Sequence, residues 1–197
     1  MTELMLFPLN SVVLPEGKMN LRIFEPRYKR MVKECCANDI GFGMNLASGR
    51  KSTSGITIST VGTMVKIIDF ETLPDGLLGI TVVGNQRFSL QQVWSEHDGL
   101  RKAKVEWLDN WNHSELNGSD SFLSVQLEQI YNKFPQLGAL YSHRFFDDAS
   151  WVAQRWLELL PLESEQFELL TSASSCQPSI DFLRSAIECP SPKETRQ

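Results

Sequence analysis

The hydrophobic pattern of the chain changes its period near residue 112. Before that point apolar and polar residues alternate over short runs, as they do in half-buried β-strands. Beyond it apolar residues recur at steps of three and four, as they do in amphipathic helices. The strands come first and the helices second, and the two do not alternate. This order predicts an α+β fold. The fold must therefore combine a β half with a helical half.

The first half reads as six or seven short strands. Residues 19–24 alternate apolar and polar side chains, and residues 78–83 follow a strong turn signal at Pro74-Asp75-Gly76. Further runs of the same kind are residues 5–7, 56–58, 64–68, 87–93 and 102–108. Short strands with tight, Gly-containing turns favour a small β-barrel over an open sheet.

One helix is predicted inside this series of strands. Glu25-Pro26 suits a helix start, because proline at the first turn loses no helical hydrogen bond. The apolar stripe that follows consists of Tyr28, Met31, Val32 and Cys35. Basic side chains occupy other positions of the same helix, among them Arg27, Arg30 and Lys33. The pattern predicts a helix that packs on the barrel and presents a basic face.

Four helical segments are predicted in the second half, at residues 123–134, 149–160, 163–170 and 179–187. The polar stretch 110–119 separates the two halves. We therefore predict a β subdomain at 1–112, a helical subdomain at 113–189 and a flexible tail at 190–197. The charge divides at the same place, with a net charge of +1 for residues 1–112 and −6 for residues 113–197.

Composition narrows the classes of function. A net charge of −5 disfavours a protein whose main task is binding nucleic acid. No apolar run approaches the roughly 20 residues that span a bilayer, and the first residues lack the pattern of a signal peptide. The four cysteines show no disulfide or metal-ligand spacing. We expect a cytoplasmic protein with reduced thiols and no membrane partner.

No pattern that carries chemistry is present. The sequence has no phosphate-binding P-loop and no G-x-S-x-G nucleophile turn. His97, His113 and His143 all fall in predicted turns or loops and show no zinc-ligand spacing. We therefore expect no catalytic residue, no metal and no cofactor.

Three blocks of sequence carry a family resemblance. The first contains Leu6-Phe7-Pro8-Leu9, Val12-Val13-Leu14-Pro15 and Leu21-Arg22-Ile23-Phe24-Glu25-Pro26-Arg27-Tyr28. The second contains Gly62-Thr63, Leu73-Pro74-Asp75-Gly76 and Gly84-Asn85-Gln86-Arg87-Phe88. The third runs from Trp156 through Leu160-Pro161 to Leu170. Together they resemble the N-terminal substrate-binding domain of Lon proteases, and most nearly the small stand-alone bacterial proteins built from it.

This resemblance implies a PUA-like β-barrel followed by a helical subdomain. It also implies a non-catalytic protein that binds polypeptide substrates or partner proteins, with protein quality control as the setting. A homodimer is compatible with this interpretation, and no nucleic acid is expected. Two alternatives stay open at this point: a small hydrolase with an unrecognised active site, and a PUA-like module that binds RNA.

The residues that we predict to contact a partner belong to three groups. Basic residues of the inserted helix form the first, and leucines around the 73–78 turn form the second, because apolar side chains on a surface loop are either tucked inward or available for contact. Trp111, near the boundary of the halves, is the third, as a packing residue or as part of an apolar patch. The predicted set is Arg27, Arg30, Lys33, Leu73, Leu77 and Trp111.

Overall fold

The computed structural model describes residues 2–52 and 55–187. In that part of the chain the β half comprises β1 (Thr2–Leu9), β2 (Lys18–Ile23), α1 (Pro26–Asn38), β3 (Phe42–Ser52), β4 (Gly55–Thr72), β5 (Leu78–Ser95) and β6 (Arg101–Trp107). The helical half comprises α2 (Ser121–Lys133), α3 (Pro135–Gly138), α4 (Ala149–Leu159), α5 (Ser164–Thr171) and α6 (Gln177–Ala186). The predicted α+β class is confirmed. The predicted tail lies outside the described residues.

The six described strands form one sheet in the order β2-β5-β4-β3-β1-β6. Only β1 and β3 pair in parallel, and every other neighbouring pair is antiparallel. β6 pairs with the second part of β5 as well as with β1, so the sheet curls back on itself. β2 pairs with the first part of β5 and extends the sheet beyond that curl. Among the described residues the predicted small β-barrel is therefore a curled sheet whose six strands do not close as one barrel.

Two strands are longer than predicted. β4 and β5 each run for 18 residues, and each joins runs that the sequence pattern separates. β5 continues through Gly84, where a Cβ atom would lie 2.0 Å from the Leu14 carbonyl oxygen. Gly84 is therefore needed for a close backbone approach rather than for a turn. β3 was not predicted, because Gly43, Asn45 and Ala47 give it little β propensity.

The inserted helix α1 covers one face of the sheet. Its predicted stripe is buried as expected, and it packs against residues of β1 and β5. The helix ends at Asn38, followed by Asp39 in the left-handed conformation (φ 50°). The other side of the curled sheet forms a smaller core around Leu6, Phe88 and Val105.

The helical half has its own core, which extends into the β half. It includes Val12, Leu14 and Leu46 beside the buried faces of α2 and α4 to α6. Asp148 caps α4 by accepting a hydrogen bond from the Ser150 amide at 2.8 Å, as the sequence predicted. No helix among the described residues is long and apolar enough to span a membrane.

Arg87 and Trp111 join the two halves. Arg87 is 2% exposed and donates hydrogen bonds to the carbonyl oxygens of Thr171, Ala173 and Asp109. Its guanidinium lies 4.9 Å from the centre of the Trp111 ring, whose Nε1 donates to Ala173 at 2.8 Å. Burial lowers the pKa of Arg87 to about 10.

A buried ion pair forms a second junction. Glu158 accepts a hydrogen bond from the Leu14 amide at 2.7 Å and pairs with Arg155 at 2.8 Å. Arg155 also donates to the Pro15 carbonyl oxygen at 2.8 Å. Because one face of α4 thus bonds the backbone of the loop after β1, the halves share an interface. The subdomain division at residue 112 stays a prediction.

Candidate functional site

An open depression of about 310 Å³ lies where the ends of β1 and β2 meet the start of α1. We call it the Phe24 groove. Its apolar lining consists of Phe7, Pro8, Leu9, Phe24, Tyr28 and Ala47. Its charged lining consists of Arg22, Arg27, Arg101 and Glu25. The groove therefore combines apolar surface with the hydrogen-bond donors of three guanidinium groups.

Phe24 is the most exposed apolar residue of this groove, at 59%. β2 alternates, with Leu21 and Ile23 buried and Arg22 exposed, and Phe24 follows in the outward position. α1 begins at Pro26, so only Phe24 and Glu25 connect the strand to the helix. This short connection positions a large aromatic side chain at the surface between two regular elements.

Arg27 lies at the edge of the groove and is anchored by backbone and side-chain contacts. Its Nη1 donates to the Gly99 carbonyl oxygen at 3.0 Å, and its Nη2 pairs with Glu25 at 2.7 Å. The guanidinium lies 4.7 Å from the centre of the Tyr28 ring. With a third of its side chain exposed, Arg27 can still contact a bound group.

The 73–77 turn lies beside the groove, because Asp75 forms an ion pair with Arg22. The Gly76 amide donates to the Leu73 carbonyl oxygen at 2.8 Å, and Gly76 has a φ of 80°. Both predicted leucines of the turn, Leu73 and Leu77, are half-buried. The structure thus brings the turn and Arg27 to neighbouring parts of one surface.

The other two predicted basic residues differ in their surroundings. Arg30 contacts three carboxylates, with Nη1 at 2.9 Å from Glu34, Nε at 2.8 Å from Asp98 and Nη2 paired with Glu96. Its hydrogen bonds lower the pKa of Asp98 to about 2. Lys33 is exposed. Arg30 therefore stabilises the contact of α1 with the β5–β6 turn. Because three carboxylates surround its charge, α1 presents no continuous basic stripe.

Trp111 is buried and is therefore not a candidate for contact with a partner. The sequence left it open between interior packing and a surface patch, and the ring is only 6% exposed. It packs in the core of the helical half and contacts Arg87. A partner could reach it only if the two halves separated.

The hydrolase alternative requires converging reactive side chains. The described residues contain no group of three His, Cys, Asp or Glu side chains that could bind a metal. Burial raises the pKa of Glu158 to about 7, although Arg155 opposes the shift. That carboxylate already accepts the Leu14 amide and pairs with Arg155, so its contacts belong to the junction of the halves.

Sequence reasoning missed much of the groove. Phe24, Arg22 and Arg101 were not predicted as contact residues, and Ala47 lies on a strand that was not predicted. One signal could have identified Phe24. In the alternation of residues 19–24 it occupies an outward position, where a polar residue is usual.

Comparison with known proteins gives a consistent assignment. A sequence model of the ATP-dependent protease La (LON) substrate-binding domain matches residues 3–183. The chain is similar to the crystal structure of a Lon N-terminal domain protein from Xanthomonas campestris, with 30% sequence identity and a TM-score of 0.73. That similarity covers 94% of this chain and 98% of the other.

A second solved structure shares the fold at low identity. It is the N-terminal domain of a Mycobacterium avium complex Lon protease, with 12% identity and a TM-score of 0.58. The match covers 93% of this chain and 97% of that one. Both similarities extend across the β half and the helical half.

Proposed function

Since the chain belongs to the family of ATP-dependent protease La (LON) substrate-binding domains, we propose that it binds segments of unfolded polypeptide and catalyses no reaction itself. The observation that carries this proposal is the Phe24 groove, an open apolar surface bordered by arginines. Protein quality control is the setting that we propose for this binding.

The chemistry of the groove suits an unfolded segment. Such a segment exposes apolar side chains together with backbone carbonyl groups that have no hydrogen-bond partner within their own chain. Phe24 offers a large aromatic surface at 59% exposure, and aromatic residues of this kind are enriched at the centres of protein interfaces. The guanidinium groups of Arg22 and Arg27 can donate to backbone carbonyl oxygens of any sequence. We therefore expect the groove to bind apolar segments with little sequence preference.

The 73–77 turn adds a second apolar contact to this surface. Leu73 and Leu77 are half-buried, so part of each side chain can contact a bound segment. Arg22 and Asp75 already form an exposed ion pair, and exposed pairs contribute little free energy. We therefore expect binding to depend more on the leucines than on salt concentration.

Fluorescence anisotropy with a labelled, reduced and carboxymethylated protein tests this site. Phe24→Ser should weaken binding about tenfold, the loss expected for about 1.4 kcal/mol of apolar contact. The double substitution Leu73→Ser with Leu77→Ser should also weaken binding and leave the fold intact. Leu169→Ser is the matched control, because Leu169 is 73% exposed on α5 and does not line the groove.

The result that contradicts the site is equal binding by all four proteins. Binding that disappears between low and moderate salt and ignores the leucine substitutions would show an electrostatic contact instead. A separate assay addresses catalysis: the purified chain should hydrolyse neither ATP nor casein, and turnover that survives rigorous purification contradicts the non-catalytic assignment.

A further inference from the structure

At the end of the sheet where β3 begins, its neighbours β1 and β4 both extend beyond it. It pairs with β1 from the Leu6–Gly43 pair onward, and with β4 up to the Phe42–Val65 pair. Among the described residues, the first part of β1 therefore pairs only with β6, and residues 66–72 of β4 pair only with β5. These two strand edges would both border β3 if β3 began earlier, so they face a common space.

A cleft of about 360 Å³ occupies that space. We call it the β1–β4 cleft. Its lining includes Leu4 and Met5 of β1, Met64 and Lys66 of β4, Ile40 before β3 and Trp107 of β6. The Phe24 groove, by contrast, includes Phe7 to Leu9. The two sites thus lie at opposite ends of β1.

The rim of the cleft carries exposed apolar side chains. Ile40 is 48% exposed and Trp107 is 37% exposed. The Trp107 Nε1 donates to the Thr2 hydroxyl at 3.2 Å, which orients the indole beside the start of β1. Ile68 and Phe70, farther along the unpaired edge of β4, are 49% and 52% exposed. An apolar edge of this kind is what an added strand covers.

The charged residues that line the cleft differ in whether they form ion pairs. Lys102 pairs with Glu3 at 3.4 Å and with Glu96 at 2.8 Å, and Glu34 pairs with Arg30. Of the charged residues in the lining, Lys66 alone has no ion pair within residues 2–52 and 55–187. Its exposed ammonium group complements a carboxylate on an incoming chain.

We propose that the β1–β4 cleft binds an extended polypeptide strand, which pairs with both unpaired edges and places a carboxylate side chain against Lys66. This inference rests on the proposed polypeptide-binding function and adds a second, distinct site to it. An extended strand suits the cleft because its backbone offers N–H and C=O groups on both sides, whereas a helix uses these groups internally. Alternate side chains of the strand would contact the apolar lining.

The test uses fluorescent peptides of alternating valine and threonine with one central residue changed. The first peptide has glutamate at the centre and the second has lysine. The third has glutamate and alternate N-methylated backbone amides, which cannot donate to a strand edge. Each is titrated against the wild type, Lys66→Glu, Ile40→Ser and the matched control Lys104→Glu on the exposed face of β6.

We expect the wild type to bind the glutamate peptide about threefold more tightly than the lysine peptide, which is the size of an exposed ion pair. Lys66→Glu should reverse that preference, and Lys104→Glu should not. N-methylation should weaken binding about tenfold, since it removes more than one hydrogen bond. Hydrogen exchange should slow at residues 2–5 and 66–72 when the glutamate peptide binds.

Three results overturn the inference while the proposed function stands, and the first two come from the peptide titrations. One is equal binding of the N-methylated and unmethylated peptides. The other is exchange protection confined to residues 22–28, with binding lost in Phe24→Ser and retained in Ile40→Ser. Dimerisation of the chain that protects residues 66–72 without peptide would assign the edge to a second copy and also overturn it. Failure of every peptide and of carboxymethylated protein to bind would refute the proposed function itself.

Discussion

Replacement of Trp111 by alanine tests whether the two halves of the chain depend on one interface. The ring is 6% exposed, packs in the helical core and donates a hydrogen bond to Ala173. A buried tryptophan removes about 150–250 Å² from water, which corresponds to about 4–6 kcal/mol at 25 cal/mol per Å². Measured losses for such truncations are about 3–5 kcal/mol. We expect a loss of about 4 kcal/mol.

Urea denaturation followed by circular dichroism measures this loss, and Trp107→Ala is the matched control. Trp107 is 37% exposed and Trp111 is 6% exposed, so Trp107 buries about two-thirds as much of its surface and its truncation should cost about two-thirds as much. If Trp111→Ala does not fold, Trp111→Phe should still fold and lose about 1–2 kcal/mol, because it keeps most of the apolar volume. A cost below about 1 kcal/mol for Trp111→Ala, or equal costs for the two alanine variants, would refute the buried interface.

Three further predictions concern stability. At pH 8, where Glu158 is mostly ionised, Glu158→Gln should cost about 3 kcal/mol or more in urea denaturation, because Arg155 keeps a buried charge without its partner; a cost near zero contradicts a buried ionised pair. Hydrogen bonding to Asp148 raises the pKa of His113 above its ordinary 6.5, so this contact stabilises the fold below that pH and is lost as pH rises through the folded value. His113→Gln should therefore reduce the stability difference between pH 6 and pH 8, and an unchanged difference would count against the contact. Gly84→Ala should cost about 2 kcal/mol in thermal or urea denaturation, because its Cβ would lie 2.0 Å from a backbone oxygen; wild-type stability would show that β5 can move away.

The sequence predicts local elements best where apolar residues repeat with one clear period. The stripe of α1 and the cap at Asp148 are confirmed by burial and by a hydrogen bond. The alternation of residues 19–24 gives β2 within one residue at each end. In each case the deciding contacts lie within a few residues of one another, so a local pattern is sufficient.

Elements that depend on distant contacts are predicted less well. β3 is stabilised by β1 and β4 on its two sides rather than by its own propensity. Gly84 interrupts the apolar pattern, yet β5 continues through it because the Leu14 backbone passes close by. The Phe24 groove combines residues from β1 to β6, so no spacing along the chain reveals it.

The most direct test of the account compares two states of one small disulfide-bonded protein as ligands. The labelled ligand is presented either native or reduced and carboxymethylated, and the dissociation constant is measured by anisotropy with the wild-type chain at moderate salt. We expect the chain to bind the unfolded form only, and we expect Phe24→Ser to weaken that binding about tenfold. Equal binding of both forms, or binding of neither, would contradict a receptor for unfolded polypeptide.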